Sequence, residues 1–340
     1  MRWIRVGFAF VLGLIAAAAV RAAPPADEDI AVMAQALRRA HAAVVGVHAQ
    51  AIEGARSSAT LGREREGSGV VIGSEGLVLT IGYLVLEAEQ VQLDLGEDHE
   101  VPARVLAYDV ATGFGLVQAL TPLPIQPAPL GAASALAANE PLMVASGGDD
   151  GAVSIARLVA RRPFVGYWEY QIDGAIFTSP ARTDHSGAGL FNSRGELVGI
   201  GSLFLSDAGN TDDEQHGPGN MFVPVDLLMP VLDELKREGR SHASQRAWLG
   251  INAMERAGQV RVMRVNDDSP ADVAGVQAGD RIVRIDGTEV GALDTLWRSL
   301  WSGGAPEREV TLEIRRGEET RTLKVQTVDR MKTLRRAQGI

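Results

Sequence analysis

The chain has 340 residues, 46% of them hydrophobic, and a formal net charge of −10. This length allows two or three compact domains, and the composition is ordinary for a protein with a buried core. The sequence contains no cysteine, so its domains must be held together by packing without disulfides. The acidic balance, with no basic cluster outside a tail at residues 329–340, argues against a nucleic-acid partner.

The N-terminal residues have the pattern of a secretory signal peptide. Arg2 and Arg5 precede an apolar run over residues 6–20, and small residues end it at Ala22. We expect residues 1–22 to be removed on export, which takes away three arginines and moves the net charge from −10 to −13. The apolar run is short for a membrane span of about 20 residues, so an uncleaved anchor is the alternative. No membrane contact is expected after cleavage.

The first long unit, residues 40–238, is predicted to be mainly β. From Gly67 to about Val223, short runs of β-branched or alternating apolar residues are separated by Gly, Pro and Asp turns. The pattern predicts an all-β barrel or sandwich, and a Pro-rich segment at residues 120–133 divides it into two comparable halves. A helix should close the unit, with Asp226 as its N-cap and Gly239 after its end.

The polar residues 239–246 are predicted to be a linker to a second unit at residues 247–328. In that unit Ser269 and Pro270 start a short helix, as an N-cap followed by proline at the first position. An Asp-Gly pair marks a strand turn, an amphipathic helix follows at residues 292–301, and a hairpin closes the unit. The pattern predicts a β-rich fold of about 80 residues with two helices.

The string SPADVAGVQAGDRIVRIDG, together with the preceding WLGI, resembles a PDZ domain. The resemblance implies peptide binding by strand addition, in which loop amides hold the terminal carboxylate of a partner protein. The residues that it assigns to the peptide site are Trp248, Leu249, Gly250, Ile251, Leu293 and Trp297. Core packing is the alternative role for the apolar helix face, but an indole needs a hydrogen-bond partner or exposure, which favours Trp297 as a groove residue.

The order of the two units resembles the HtrA/Deg family of exported serine proteases. EGSGVVIGSEGLVLT is similar to the strands before the family's catalytic histidine, and SGAGLFNSRGELVGIGS is similar to its nucleophile segment. The resemblance covers residues 40–328. It implies a mainly β architecture, with a chymotrypsin/trypsin-like double β-barrel followed by a C-terminal PDZ domain.

The three catalytic positions of that family are not all retained. Its histidine position holds Tyr83, and its aspartate position, after the Asp109 to Thr112 turn, holds Gly113. A phenol has a reference pKa of about 10 and is a poor base at neutral pH. Ser186 occupies the nucleophile position, so one member of the Ser-His-Asp set is kept and two are replaced.

The turn before the serine also departs from the family. The oxyanion-turn glycine is replaced by Asp184, whose carboxylate is expected to oppose a developing negative charge. His185 is adjacent to the serine, and neighbouring side chains point apart, so it is not expected to act as the base. His41, His48, His99 and His216 are expected at the surface, and His242 lies in the predicted linker. No metal-ligand spacing and no cofactor motif are seen.

We therefore hypothesise a proteolytically inactive, periplasmic HtrA-like protein that binds peptides, C-terminal tails or unfolded proteins through its PDZ domain. One alternative is an active serine endopeptidase of envelope protein quality control that uses a displaced base. Another is a non-catalytic subunit of an HtrA assembly, as part of a homo- or hetero-trimer.

Overall fold

The structure is a computed structural model that describes residues 27–137, 140–209 and 217–335. The predicted signal peptide and His216 lie outside these residues. The described residues begin with helix α1 (Asp27–His41), whose apolar residues have helical spacing. Within the described residues, no helix is long and apolar enough to cross a membrane.

Six antiparallel strands close into a first barrel with the spatial order β1-β2-β3-β6-β5-β4. The strands are β1 (Val44–Ala51), β2 (Glu64–Gly73), β3 (Leu77–Ile81), β4 (Ala88–Asp94), β5 (Glu100–Tyr108) and β6 (Phe114–Ala119). Two single-turn helices, α2 (Ser58–Leu61) and α3 (Gly82–Val85), lie between them. Closure leaves no free strand edge and fills the interior with apolar side chains.

A second closed barrel has the spatial order β10-β11-β12-β9-β8-β7. Its strands are β7 (Pro141–Ala145), β8 (Val153–Gly166), β9 (Tyr170–Ser179), β10 (Gly189–Phe191), β11 (Leu197–Leu205) and β12 (Gly219–Pro224). The Pro-rich segment lies between the barrels, as its composition predicts. The architecture is therefore a trypsin-like double barrel.

The helix after the barrels is shorter than the sequence suggests. A 3₁₀ turn (Val225–Leu227) comes first, and α4 runs only over Leu232–Glu238. Asp226 is not an N-cap, because its carboxylate accepts hydrogen bonds from Ala133 N at 2.6 Å and Ser134 Oγ at 2.8 Å. Pro230 lacks the donor and disfavours α backbone before it, which delays the helix. Gly239 ends α4 in the left-handed conformation, as predicted.

The C-terminal unit is β-rich with two helices, as expected of a PDZ domain. Its main sheet contains β14 (Ile251–Arg256), β15 (Gln259–Val265), β16 (Arg281–Ile285), β17 (Thr288–Glu289), β18 (Glu309–Arg316) and β19 (Glu319–Gln326). A separate pair joins β13 (Ala247–Trp248) to β20 (Val328–Asp329). Helices α5 (Pro270–Val273) and α6 (Leu293–Ser302) cover the sheet, and Ser269 caps α5 as predicted. The unit has its own apolar core.

Candidate active site and peptide site

Ser186 lies in the turn before β10, where the two barrels meet. Its carbonyl accepts a hydrogen bond at 2.8 Å from the backbone N–H of Ser68 in β2. The next residue, Gly187, has φ of 74°, and a Cβ there would lie 1.9 Å from the Ser68 carbonyl oxygen. Only glycine can therefore occupy this position, and the first barrel fixes the serine turn.

The Tyr83 hydroxyl, on α3, is the group that meets Ser186. It lies 2.8 Å from Ser186 Oγ and 2.9 Å from the carbonyl oxygen of Ser202. A carbonyl can only accept, so the single phenol proton goes to Ser202 and the Ser186 hydroxyl donates to the phenol oxygen. Burial raises the pKa of Tyr83 to about 12. At neutral pH the phenol is uncharged, and the serine keeps its proton.

Gly113 has no space for the carboxylate that a triad needs. Its φ is 80°, and a Cβ there would lie 2.5 Å from the hydroxyl oxygen of Tyr170. That hydroxyl donates to the Thr112 carbonyl at 2.9 Å. Tyr170, from the second barrel, therefore fills the space in which the family resemblance predicts the side chain of an acid.

Asp109, the nearest acid in the sequence, is committed to structural bonds. The fully buried carboxylate accepts from Thr112 N at 3.0 Å, Thr112 Oγ1 at 2.5 Å and Ser241 Oγ at 2.7 Å. Ser244 Oγ in the linker also bonds to it. These partners use the oxygens that could otherwise orient a catalytic base.

The Asp184 carboxylate is neutralised by a neighbour. Arg182 Nε lies 2.8 Å from Oδ1, and Arg182 Nη2 and the Ser146 hydroxyl both bind Oδ2, the latter at 2.6 Å. The guanidinium holds the pKa of Asp184 below its usual range. The residue is not among those with positive φ. The negative charge predicted at Asp184 is present, but the Arg182 guanidinium balances it. The Asp184 carboxylate therefore opposes a developing oxyanion less than the sequence alone suggests.

No histidine bonds to Ser186 among residues 27–137, 140–209 and 217–335. His185 Nδ1 lies 3.1 Å from the Arg182 carbonyl oxygen, and burial lowers the pKa of His185. His48 is 3.5 Å from Glu100. The others described, His41, His99 and His242, are exposed.

One cluster of side chains that could bind a metal ion was not apparent from sequence spacing; two of its members are exposed and Glu234 is partly buried. Glu234, Glu238 and His242 place ligand atoms within 4.8 Å of one another. Exposed acidic groups commonly approach one another without an ion, so the expectation of no metal stays a prediction.

The loop that is predicted to bind the terminal carboxylate of a peptide already binds a side-chain carboxylate of the same chain. Glu169, at the turn between β8 and β9, accepts from the backbone N–H groups of residues 249–251 at 3.1, 2.7 and 3.0 Å. Trp297 is buried and its indole N–H donates to the Gly166 carbonyl at 2.9 Å. Trp248 and Leu293 are partly buried. The sequence reasoning missed Glu169, which carries no motif and is one acid in the turn GYWEY.

Burial and hydrogen bonding act in opposite directions on the Glu169 carboxyl. Burial raises the pKa of Glu169, while the Arg330 guanidinium and the three amide donors lower it, with a net upward direction. Arg330 Nη1 also donates to the Glu169 carbonyl at 3.2 Å. The carboxyl is therefore fully partnered within the protein.

Family models agree with this architecture. Residues 67–200 match the model of the trypsin-like peptidase domain, and residues 247–327 match that of the PDZ domain. Among solved structures, the HtrA-type protease AlgW with a tripeptide superposes with a TM-score of 0.54, at 21% identity over 89% of this chain and 97% of that one. This superposition shows the fold. The chain is a protein of the trypsin-like serine protease fold with one PDZ domain.

Curated relatives match about three quarters of this chain. The probable periplasmic serine endoprotease DegP-like of Hahella chejuensis is 28% identical over 273 residues, covering 74% of this chain and 55% of that protein. The serine endoprotease DegS of Haemophilus influenzae is 28% identical over 281 residues, covering 77% and 78%. The chain is therefore similar in sequence to these serine endoproteases and in fold to an HtrA-type protease. It spans about half the length of the DegP-like relatives that it matches.

Proposed function

We propose that this chain is an exported, periplasmic HtrA-family protein without proteolytic activity, which acts by binding peptides or C-terminal tails of proteins. The observation that carries the proposal is the hydrogen bond from the Ser186 hydroxyl to the neutral Tyr83 phenol. The names of the relatives and the N-terminal pattern of the sequence support the periplasmic location.

The chemistry of acyl transfer explains why this bond argues against catalysis. In a Ser-His-Asp set a base takes the serine proton as the serine attacks a carbonyl, and a carboxylate holds that base in the right tautomer. The Tyr83 hydroxyl already donates its proton to the Ser202 carbonyl. With a pKa of about 12, the phenol stays protonated near pH 7 and cannot act as the base that a histidine would be. Gly113 supplies no carboxylate.

Binding is the role that the remaining features support. The PDZ loop presents three adjacent backbone N–H groups to one carboxylate, the arrangement by which such loops recognise chain ends. A homo- or hetero-trimer is compatible with the proposal, because a non-catalytic subunit needs only its binding surfaces. Light scattering of the purified protein, and its co-purification from the envelope, test this assembly.

The test of inactivity uses the purified chain with casein and with a fluorophosphonate probe. We expect neither casein cleavage nor labelling, and no difference between the natural protein and Ser186→Ala. Labelling that disappears in Ser186→Ala would show that the serine is activated and would refute the proposal.

A further inference from the structure

The turn between β8 and β9 lies in the groove of the PDZ domain. We name residues 166–170 the hairpin tip. The Tyr167 carbonyl accepts a hydrogen bond at 2.8 Å from the N–H of Ala253 in β14, and the Gly166 carbonyl accepts from Trp297 in α6. The tip therefore lies between the strand and the helix that bound the groove.

The spacing of these bonds is that of a bound chain end. The amides of residues 249–251 hold the carboxylate of Glu169, and two residues further into β14 the Ala253 N–H holds the carbonyl of Tyr167, two residues before Glu169. When a peptide adds antiparallel to β14, each residue further along the strand pairs with the residue one position earlier in the peptide. The Glu169 side chain thus takes the place of a terminal carboxylate in the correct register.

We infer that the hairpin tip is an intramolecular ligand that keeps the PDZ carboxylate site closed to the termini of other chains. The inference rests on the proposed peptide-binding function, whose regulation it describes. Glu169 is only 3% exposed and fully satisfied by three amides, so an incoming carboxylate cannot bind until Glu169 leaves. The apparent affinity for a peptide is then the intrinsic affinity of the open groove multiplied by the fraction of molecules in which the tip is released.

The groove is also linked to the serine site through the tip. Glu169 and Tyr170 are consecutive: the first occupies the PDZ loop, and the second fills the space beside Gly113. Trp168 stacks on Tyr170 with ring centroids 5.7 Å apart and an 11° angle between planes. The hairpin tip therefore contacts both the PDZ carboxylate loop, through Glu169, and the Gly113 position, through Tyr170.

The experiment compares the full chain with Glu169→Ala and with the control Asp173→Asn. The control removes the exposed ion pair between Asp173 and Arg298, at 3.0 Å, on the same hairpin but leaves the Glu169 contacts in place. The probe is a fluorescent decapeptide with the sequence of residues 160–168 followed by alanine, ARRPFVGYWA, with a free carboxylate or as its C-terminal amide. Its affinity is measured by anisotropy.

We expect Glu169→Ala to bind the free-acid probe at least ten-fold more tightly than the natural protein and Asp173→Asn, with the amide probe binding to none. Equal affinities for the natural protein and Glu169→Ala would overturn the inference and leave peptide binding intact.

Hydrogen exchange at the amides of residues 249–251 separates the remaining cases. Protection in the natural protein that is lost in Glu169→Ala supports the intramolecular ligand even if no probe binds, a result that would count against the proposed function alone. Exchange that is the same in both proteins, with no probe binding, would refute the inference as well.

Discussion

At the scale of the residue, the hydrogen-bond direction at Tyr83 decides the chemistry of the serine. Two acceptable partners lie within 2.9 Å of the phenol oxygen, and only one of them can donate. A histidine at this position would accept the serine proton and carry it as a cation, whereas a buried phenol resists any change of charge. Ser186 is therefore held in a structural hydrogen bond.

The ionisation of Tyr83 is expected to be delayed to about pH 12 in the folded protein. The unfolded phenol loses its proton near pH 10, so between these values the folded state binds more protons, and stability falls as pH rises from about 10 through 12. The tyrosinate absorbance of the natural protein minus that of Tyr83→Phe isolates this group from the other three tyrosines. Titration of the difference near pH 10 would contradict the buried, hydrogen-bonded phenol.

The ion pair at Asp184 predicts an effect of pH at the acid end. Arg182 lowers the pKa of Asp184, so the stabilisation is present above the unfolded pKa and is lost as pH falls through the folded one. We expect Asp184→Asn to be less stable than the natural protein at pH 7, by at most about 1 kcal/mol because the carboxylate is partly exposed, and the difference to vanish at low pH. Urea unfolding at several pH values measures it. A difference independent of pH would exclude the ion pair as its cause.

At the scale of the element, two turns of the first barrel show why the acid position is closed. Gly96, between β4 and β5, and Gly113, between β5 and β6, have similar φ values of 83° and 80°. A Cβ at Gly96 meets nothing within 4 Å, whereas one at Gly113 meets the Tyr170 hydroxyl. A residue with a side chain would therefore meet similar backbone strain at both positions, but only at Gly113 would its Cβ also clash with a neighbour.

The pair of glycines gives a matched prediction. Gly96→Ala should cost about 1 kcal/mol of unfolding free energy, from left-handed backbone alone. Gly113→Ala should cost about 3 kcal/mol, because overpacking against a buried aromatic adds to the same strain. Denaturant unfolding of the two variants measures the difference. Equal losses would show that Tyr170 yields easily, and that an acid could be accommodated at residue 113.

At the scale of the whole molecule, the hairpin tip joins the barrels to the PDZ domain. Val165 packs against the PDZ core. The Glu169 carboxylate accepts from the PDZ loop, and the Trp297 indole N–H of the PDZ domain donates to the Gly166 carbonyl. Asp109 adds a second connection, from the first barrel to Ser241 in the linker. Through these contacts the PDZ amides of residues 249–251 and the Trp297 indole N–H have their hydrogen-bond acceptors in the barrel unit.

Such hydrogen bonds between the two units predict shared unfolding. We expect calorimetry to show one cooperative transition for the natural protein and two separated transitions for Glu169→Ala, because three PDZ amides then lose their buried partner. Asp173→Asn, which breaks only an exposed ion pair, should unfold like the natural protein. Two transitions in the natural protein would show that the tip contributes little to the coupling.

Residue pattern alone predicted an all-β first unit in two halves and a β-rich second unit with two helices, because strand alternation and turn residues are local properties of the chain. Even the capping of α5 by Ser269 could be predicted in this way. The double barrel and the PDZ domain were predicted from the resemblance of local motifs to known families, and so was the assignment of Tyr83 to the histidine position. The bonds between Tyr83 and Ser186 and between Glu169 and the PDZ loop join residues 103 and about 80 positions apart. No local pattern marks such pairs. Tertiary packing is what places the Tyr83 phenol on Ser186, Tyr170 beside Gly113 and the Glu169 carboxylate in the PDZ loop, since burial and hydrogen-bond partners are set by contacts between distant elements.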